Sequence, residues 1–512
     1  MVVVWRAVNP ATGEEGEEIR ATPLEAVDPM MQKAKTTSAR WRQTPVAERL
    51  TYLRRIRYYI TEHFEECAEL IVEATGKPLV EAATHELFIV ADAIKHVESC
   101  AVKTLKTRKA KTPLTLFGKQ SAISYHPRGV VLVIAPWNFP FQLAMIPALS
   151  ALTAGNSVII KPSEVTPLVG KLMERIFAAA GFPEGLVQIA HGDGTLGARL
   201  IEAEPDYIFF TGSVQTGARI QQEAAKRLIP TTLELGGKDP MIVFADANLE
   251  RAVRGAVWGS LANSGQACIS VERIYVERSV YADFTARLKQ EVSRLRQNGT
   301  EDTDLGSMTF SKQVDIVSEH VRHALAEGAE LECGIHPEQW RLTQGLQVQP
   351  IVLTQVNPQM KVMREETFGP VMNVMPFDHE MEAVELANDS SFGLNASVWS
   401  RDLTKARRVA DLLECGGVCI NDVMVTIANP YLPFGGIKRS GIGRYHGEEG
   451  LTLFCHQKAV VLDRGTKPAE VNWFPYAGKY PVFGRLIKSW YGSRRSLLGF
   501  IRAYLELMRK SK

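Results

Sequence analysis

The sequence predicts an α/β protein built around a doubly wound parallel sheet. Three observations lead there: short β-branched runs alternate with helical stretches, those runs are apolar throughout, and each crossover is about a dozen residues or longer. The alternation begins at Gly129. Val130-Val131-Leu132-Val133-Ile134 reads as a buried strand, 141–154 as an apolar helix and Ser157-Val158-Ile159-Ile160 as the next strand. Residues 167–180, 187–189, 196–203, 207–210 and 214–227 continue the pattern. A second α/β series follows from Glu234, with strands over 241–244, 273–276, 351–353 and 371–375 and helices over 249–261, 281–296 and 312–327. Ahead of both series, 47–74 and 80–107 have apolar residues at three- and four-residue intervals and read as helices, punctuated by Gly76-Lys77-Pro78. Two segments, 115–125 and 454–463, alternate like strands but lie outside both series, and are expected to pair into a small extra sheet.

A chain of 512 residues exceeds one ordinary core and implies two or three domains. Hydrophobic residues at 45% and charged residues at 23% fit a globular protein, and a formal charge of +2 gives no reason to expect nucleic-acid binding. No apolar run reaches the ~18 residues of a membrane span, and the first residues lack the layout of a secretory signal. The seven cysteines at 67, 100, 268, 333, 415, 419 and 455 contain no Cys-x-x-Cys pair. They suggest a reducing, cytoplasmic setting, no disulfide framework and no metal site.

Four short segments close predicted strands, where a doubly wound sheet places its ligand. They are Pro136-Trp137-Asn138-Phe139-Pro140, Lys161-Pro162-Ser163-Glu164, Phe210-Thr211-Gly212-Ser213 and Leu233-Glu234-Leu235-Gly236-Gly237-Lys238; a fifth, Gly265-Gln266-Ala267-Cys268, follows a predicted helix. Gly212 and Ser213 open a helix after an apolar strand, where free N–H groups and a hydroxyl suit a pyrophosphate. The Phe210–Ser213 turn is not itself a Gly-x-Gly-x-x-Gly fingerprint. Lys161 and Glu164 can hydrogen-bond the two hydroxyls of a ribose, and the carboxylate disfavours a 2′-phosphate; taken alone they read first as a surface pair at a helix start. Cys268 would ordinarily be a small core residue. As a nucleophile it needs a base and an oxyanion donor. Glu234, 34 residues earlier, supplies the first, and the Asn138 amide the second.

In this order and spacing the five segments, together with Glu365-Glu366-Thr367-Phe368-Gly369-Pro370 and Leu432-Pro433-Phe434-Gly435-Gly436, resemble the aldehyde dehydrogenase superfamily. The resemblance spans roughly nine tenths of the chain, and seven ordered motifs are specific where any one is weak. It implies a Rossmann-like cofactor domain over 1–114 and 126–234, a second α/β catalytic domain over 235–443, a small β oligomerisation arm over 115–125 and 444–463, and an extension over 464–512. It implies Cys268 as nucleophile, Asn138 as oxyanion donor and Glu234 as the base that hydrolyses a thioester, giving a free acid. The implied NAD site, with NADP as the variant cofactor, takes in Ile134, Pro136, Trp137, Lys161, Ser163, Glu164, Gly194, Gly197, Phe210, Ser213, Gly217, Leu235, Gly236, Glu366 and Phe368. The aldehyde tunnel would be lined by Phe139, Leu143, Ile269 and Phe434, all apolar, which favours an aliphatic or aromatic aldehyde. A homodimer or homotetramer is implied. One segment departs from the common pattern: Gly443-Arg444-Tyr445-His446-Gly447 stands where many members have Gly-Arg-Glu-Leu-Gly, and is closer to the fatty and aromatic aldehyde branch. This leaves the proton route open. Two rival readings are a cofactor-independent cysteine hydrolase or esterase using the same three residues, and a non-catalytic interaction protein.

Residues 465–512 lie beyond the resemblance. They hold ten Lys/Arg against two Asp/Glu and nine of the 41 aromatic residues. Leu497, Leu498, Ile501, Tyr504, Leu505 and Met508 share one helical stripe, flanked by Arg494, Arg495, Arg502, Arg509 and Lys510. Val482, Phe483, Leu486, Ile487 and Trp490 form a shorter stripe, ended by Gly492. Such a basic amphipathic segment suits either a peripheral membrane contact through 482–512 or packing on a protein surface.

Overall fold

A computed structural model describes residues 4–297, 302–340, 342 and 345–511. The chain divides into two compact units, one made of 1–106 with 125–457 and the other of 107–124 with 458–512.

Within the larger unit, a six-stranded sheet runs in the order Gly441–Ile442, Thr231–Glu234, Tyr207–Thr211, Val130–Ile134, Ser157–Lys161, Val187–Ile189. All neighbours are parallel except the first pair. The order reverses direction between Val130–Ile134 and Tyr207–Thr211, and a crevice opens at such a switch point, beyond the C-terminal ends of the strands. Every residue of these two strands is buried, as expected for strands covered by helices on both faces. Helix Gln142–Ala154 is apolar nearly all round and almost wholly buried, and Gly155 closes it in a left-handed conformation. A sheet of seven strands runs Glu330–Cys333, Ile351–Thr354, Val371–Phe377, Val271–Glu277, Asp239–Val243, Asn395–Trp399, Gly417–Ile420, with only the first strand antiparallel. The α/β class with two wound sheets is therefore the one the alternation predicts.

The smaller differences have local causes. The stretch 47–74 is two helices, Val46–Glu62 and Phe64–Thr75, broken at His63. The stretch 80–107 begins as a short α-helical turn, passes through a π-helical segment at Ala82–Phe88 and ends as Ile89–Thr104. The extra sheet has three strands, in the order Cys455–Leu462, Gln120–Pro127, Arg108–Ala110. Its central strand begins at Gln120 because Leu114–Leu116, after Pro113, forms a 3-10 turn instead. Among the described residues no helix is long and apolar enough to cross a membrane.

Candidate active site

Four close approaches bring the loops beyond the two wound sheets together, each permitted by a missing Cβ. A Cβ on Gly237 would lie 2.1 Å from the Cys268 carbonyl oxygen, and one on Gly236 2.4 Å from Glu366 Oε2. A Cβ on Gly265, whose φ is +73°, would lie 2.1 Å from the Gly369 carbonyl oxygen. One on Gly435, at φ +151°, would lie 2.9 Å from Glu234 Oε1. The glycines of three separate motifs thus let Cys268, Glu234 and Glu366 come close enough for their charges to interact. Asn138 joins them: its Nδ2 donates to the Gln266 carbonyl at 3.0 Å, two residues before Cys268. An amide nitrogen has a second N–H, which is left for a ligand.

Glu234 is buried and unpartnered, and Cys268 is half-buried. Neither carboxyl oxygen of Glu234 has a hydrogen-bond partner. Burial pushes this carboxyl far above the ordinary range, and Arg444 opposes the shift only in part. Burial likewise raises the Cys268 thiol well above its usual value, with the charges of Glu366, Asp239 and Glu234 adding to the effect. A thiol so placed is neutral and must lose its proton to a base as it attacks.

Around them lies a frame of buried charges with full sets of partners, of which only Lys238 fell within a candidate site segment of the sequence. Lys77 and Glu86 form a completely buried ion pair at 2.7 Å. Lys77 Nζ also donates to the Asn138 carbonyl at 3.0 Å and sits 4.4 Å from the centre of the Phe139 ring. Glu86 Oε2 accepts the backbone N–H of Phe141 and of Gln142, at 3.1 and 2.8 Å. The pair therefore clamps the loop 138–142 at both ends. Asn263 Nδ2 donates to the same Asn138 carbonyl at 2.9 Å, from a backbone with φ +53°. On the opposite side Lys238 pairs with Glu272, whose carboxylate accepts from Thr367 N at 2.8 Å and Phe368 N at 3.0 Å. That grip fixes Phe368, which stands edge-on to Trp137 at 5.4 Å between ring centres. The only advance signal of this frame was charge inside apolar sequence: Lys77 between Gly and Pro, and Glu86 three residues before Ile89.

Several of the expected dinucleotide residues sit at strand ends or on the helices that follow them. Lys161 Nζ is buried at the end of its strand, 3.3 Å from the half-exposed Glu164 carboxylate, and donates to the Gly192 carbonyl at 2.5 Å. Gly194 begins helix Gly194–Glu202, capped by Asp193, and Gly197 on it faces Lys161. Ser163 Oγ accepts from Val165 N. Ser213 caps helix Val214–Ala225 by accepting from Thr216 N, and Gly217 on that helix packs against Leu235. Ile134, Phe210 and Leu235 are buried together in one apolar cluster. Thr211 Oγ1, at the strand end before Ser213, is buried without a partner. This orphaned hydroxyl beside a helix N-terminus suits a phosphate-bearing ligand, and the residues present fit a dinucleotide. Glu366 is held by Gly237 N at 2.8 Å, and burial first, then Glu272, pushes its carboxyl up to about 8.

The four presumptive tunnel residues, Phe139, Leu143, Ile269 and Phe434, are all buried. His85 extends this lining, lying edge-on to both Phe139 and Trp258 at 6.2 and 5.8 Å; burial lowers its pKa to about 4, so it is uncharged. Tyr445, His446 and Gly447 of the divergent segment are buried. Tyr445 forms a two-way backbone bridge with Phe434, and neither ring nitrogen of His446 has a partner.

The family model described as "Aldehyde dehydrogenase family" matches residues 4–460. A 4,4'-diapolycopene aldehyde oxidase of Methylomonas sp is 43% identical over 488 residues, covering 95% of this chain and 91% of that protein. A putative succinate-semialdehyde dehydrogenase [NADP(+)] 2 of Mycobacterium tuberculosis (strain ATCC 25618 / H37Rv) is 35% identical over 486 residues, covering 94% and 90%. Among solved structures, betaine aldehyde dehydrogenase of Staphylococcus aureus in complex with NAD+ superposes with a TM-score of 0.87 at 33% identity, covering 92% of this chain and 94% of that one.

Proposed function

The chain belongs to the aldehyde dehydrogenase family, and we propose that it oxidises a hydrophobic aldehyde to the free carboxylic acid through Cys268 and Glu234. It is an NAD(P)-dependent oxidoreductase acting on aldehydes. Cys268 Sγ adds to the carbonyl carbon while its proton passes to a base. The carbonyl oxygen, now carrying the charge, is met by the free N–H of Asn138 Nδ2 and by the Cys268 backbone N–H. Lys161, Glu164, Ser213, Glu366 and Phe368 would hold NAD, which would supply the acceptor for the hydride. Cys268 is then acylated as a thioester. Glu234 takes a proton from water, whose oxygen attacks the acyl carbon; the C–S bond breaks, the thiol is restored and the acid leaves.

The observation that carries this reading is the orphaned Glu234 carboxyl, buried with both oxygens free and facing the Gly435 gap near Cys268. A structural glutamate would be paired; an unpaired one with a raised pKa fits a base that meets its partner only when substrate and water arrive. The apolar lining of Phe139, Leu143, Ile269 and Phe434, with uncharged His85, supports an aliphatic or aromatic aldehyde over one bearing a second carboxylate. The relative named for 4,4'-diapolycopene aldehyde supports the same preference. The extra sheet supports assembly as a homodimer or homotetramer: its edge strand Cys455–Leu462 exposes Val460, Val461 and Leu462, an edge that proteins ordinarily cover.

The test is a series of aldehydes of graded chain length and succinate semialdehyde, each with NAD+ and NADP+, with the product identified by mass. The expected result is carboxylic acid, with kcat/KM rising along the apolar series. Preference for succinate semialdehyde, or aldehyde consumption without reduced nicotinamide, would overturn it.

A further inference from the structure

The smaller unit, 107–124 with 458–512, is strongly basic. It holds sixteen Lys/Arg and three Asp/Glu, a net +13, whereas the chain as a whole carries only +2. The remaining 439 residues therefore carry −11. A separation this sharp is an electrostatic device and not a by-product of solubility.

Its last part is a hairpin of two helices, Tyr480–Tyr491 and Leu497–Lys510. They close on each other through Val482, Leu486, Phe500, Ala503, Tyr504 and Leu507, with Trp490 against Phe500 at 5.0 Å. The Ser496 N–H donates to the Ser489 carbonyl across the turn, and a Cβ on Gly499 would lie 2.7 Å from Ser489 Oγ. The hairpin thus has its own small core. This splits the single apolar stripe expected from sequence: Tyr504 turns inward, while Leu497, Leu498, Ile501 and Leu505 stay exposed.

Those four side chains occupy one exposed stripe of the second helix, with Arg502 and Arg509 along its border at the helical angle of ~100° per residue. On the first helix, Tyr480, Ile487 and Tyr491 make a second exposed stripe, bordered by Lys488. The segment before it exposes Trp473, Phe474 and Tyr476, and Tyr480 is 89% exposed. Arg485 pairs with Glu506 at 2.5 Å. Among the described residues, Lys488, Arg494, Arg495, Arg502, Arg509 and Lys510 form no ion pair, so their charge is free for an outside partner. The helices are 12 and 14 residues long, roughly 18 and 21 Å at 1.5 Å per residue, which is too short to span the ~30 Å hydrocarbon layer.

We propose that this hairpin docks the enzyme on an anionic lipid bilayer, laying its exposed Leu, Ile and Tyr side chains into the headgroup boundary with its arginines on the lipid phosphates. Exposed aliphatic and aromatic stripes bordered by unpaired basic residues are the two requirements for interfacial binding, and neither alone suffices. A folded hairpin core means that docking does not require helix formation at the surface, which lowers its entropic cost. The inference stands apart from the identity of the aldehyde.

The experiment is flotation of the full-length protein with vesicles of phosphatidylcholine alone and of phosphatidylcholine with phosphatidylglycerol, at low and high salt. Two variants accompany it: Arg495→Glu with Arg502→Glu and Arg509→Glu, and Leu498→Asp with Ile501→Asp. The wild type is expected to float with phosphatidylglycerol vesicles only, less so at high salt. Each variant should lose about a hundredfold in vesicle affinity, with unchanged oxidation of a soluble aldehyde and unchanged mass in solution. Failure of the wild type to float with phosphatidylglycerol vesicles overturns the proposal. Flotation that both variants retain overturns it equally, and so does a fall in solution mass in the Leu498→Asp, Ile501→Asp protein, which would assign the stripe to a second copy of the chain.

Discussion

Two kinds of buried charge lie within a few residues of each other around Cys268. In the frame, Lys77–Glu86 and Lys238–Glu272 are ion pairs whose remaining capacity is taken up by backbone groups of the loops 138–142 and 367–368. At the centre, Glu234 has no partner at all, and Glu366 has a single backbone N–H. Both kinds are costly to desolvate. The frame recovers that cost through hydrogen bonds and returns a fixed loop. The centre does not recover it, and its acids stay protonated well above the ordinary range. The difference separates residues that hold the site from residues held ready in it.

Four substitutions probe this division. Replacing Cys268 by alanine should have the largest effect on rate, a loss of at least ~10³-fold in reduced nicotinamide formation. Nucleotide binding by calorimetry and the thermal midpoint should stay close to wild type. Glu234→Gln should slow steady turnover by about 10²- to 10³-fold while leaving a first burst of reduced nicotinamide, seen by stopped flow. Because the base works only as carboxylate and its pKa is raised, the wild-type deacylation rate should climb with pH through neutrality; the variant should lose that limb. Glu86→Gln reverses the pattern. It leaves Lys77 buried and unpaired and should cost about 3–5 kcal/mol of stability in denaturant titration. The rate should fall less than with Glu234→Gln, through a shifted Asn138. A Glu86→Gln protein as stable as wild type would break the comparison.

The smallest effect concerns Glu366. Its carboxyl titrates near 8 in the folded chain, against an ordinary 4.5. A folded pKa raised in this way gives stability that is complete below pH 4.5 and is lost as pH rises through 8, since the unfolded chain releases its proton first. Glu366→Gln should therefore flatten the fall of the melting temperature between those limits.

The wound sheets were legible in the sequence because buried parallel strands leave continuous β-branched runs such as Val130–Ile134. The proposed nucleophile, base and oxyanion donor stand out only as an ordered set, since Cys268 by itself is one cysteine of seven. The frame was not. Lys77 and Glu86 meet Asn138 and Phe141 across 55 to 61 residues, and nothing in a helical period marks a lysine as internal. Gly435 belonged to a recognised motif, but its reason, room for the Glu234 carboxyl 201 residues earlier, needed coordinates. The two exposed stripes of the terminal hairpin were hidden for a related cause: one helix pattern cannot say which apolar residues its neighbour will cover.

The short strand Gly441–Ile442 pairs with Glu234 and Leu233. It reaches the six-stranded sheet only after the chain has traversed every strand of the other one. On the ribosome, both the thiol and its base emerge long before Gly435 and Gly441 are made. A nascent chain stopped anywhere short of residue 442 lacks the edge that seats Glu234. Newly made polypeptide thus lacks this edge, and with it the seat of the Glu234 carboxyl, until residue 442 has been added.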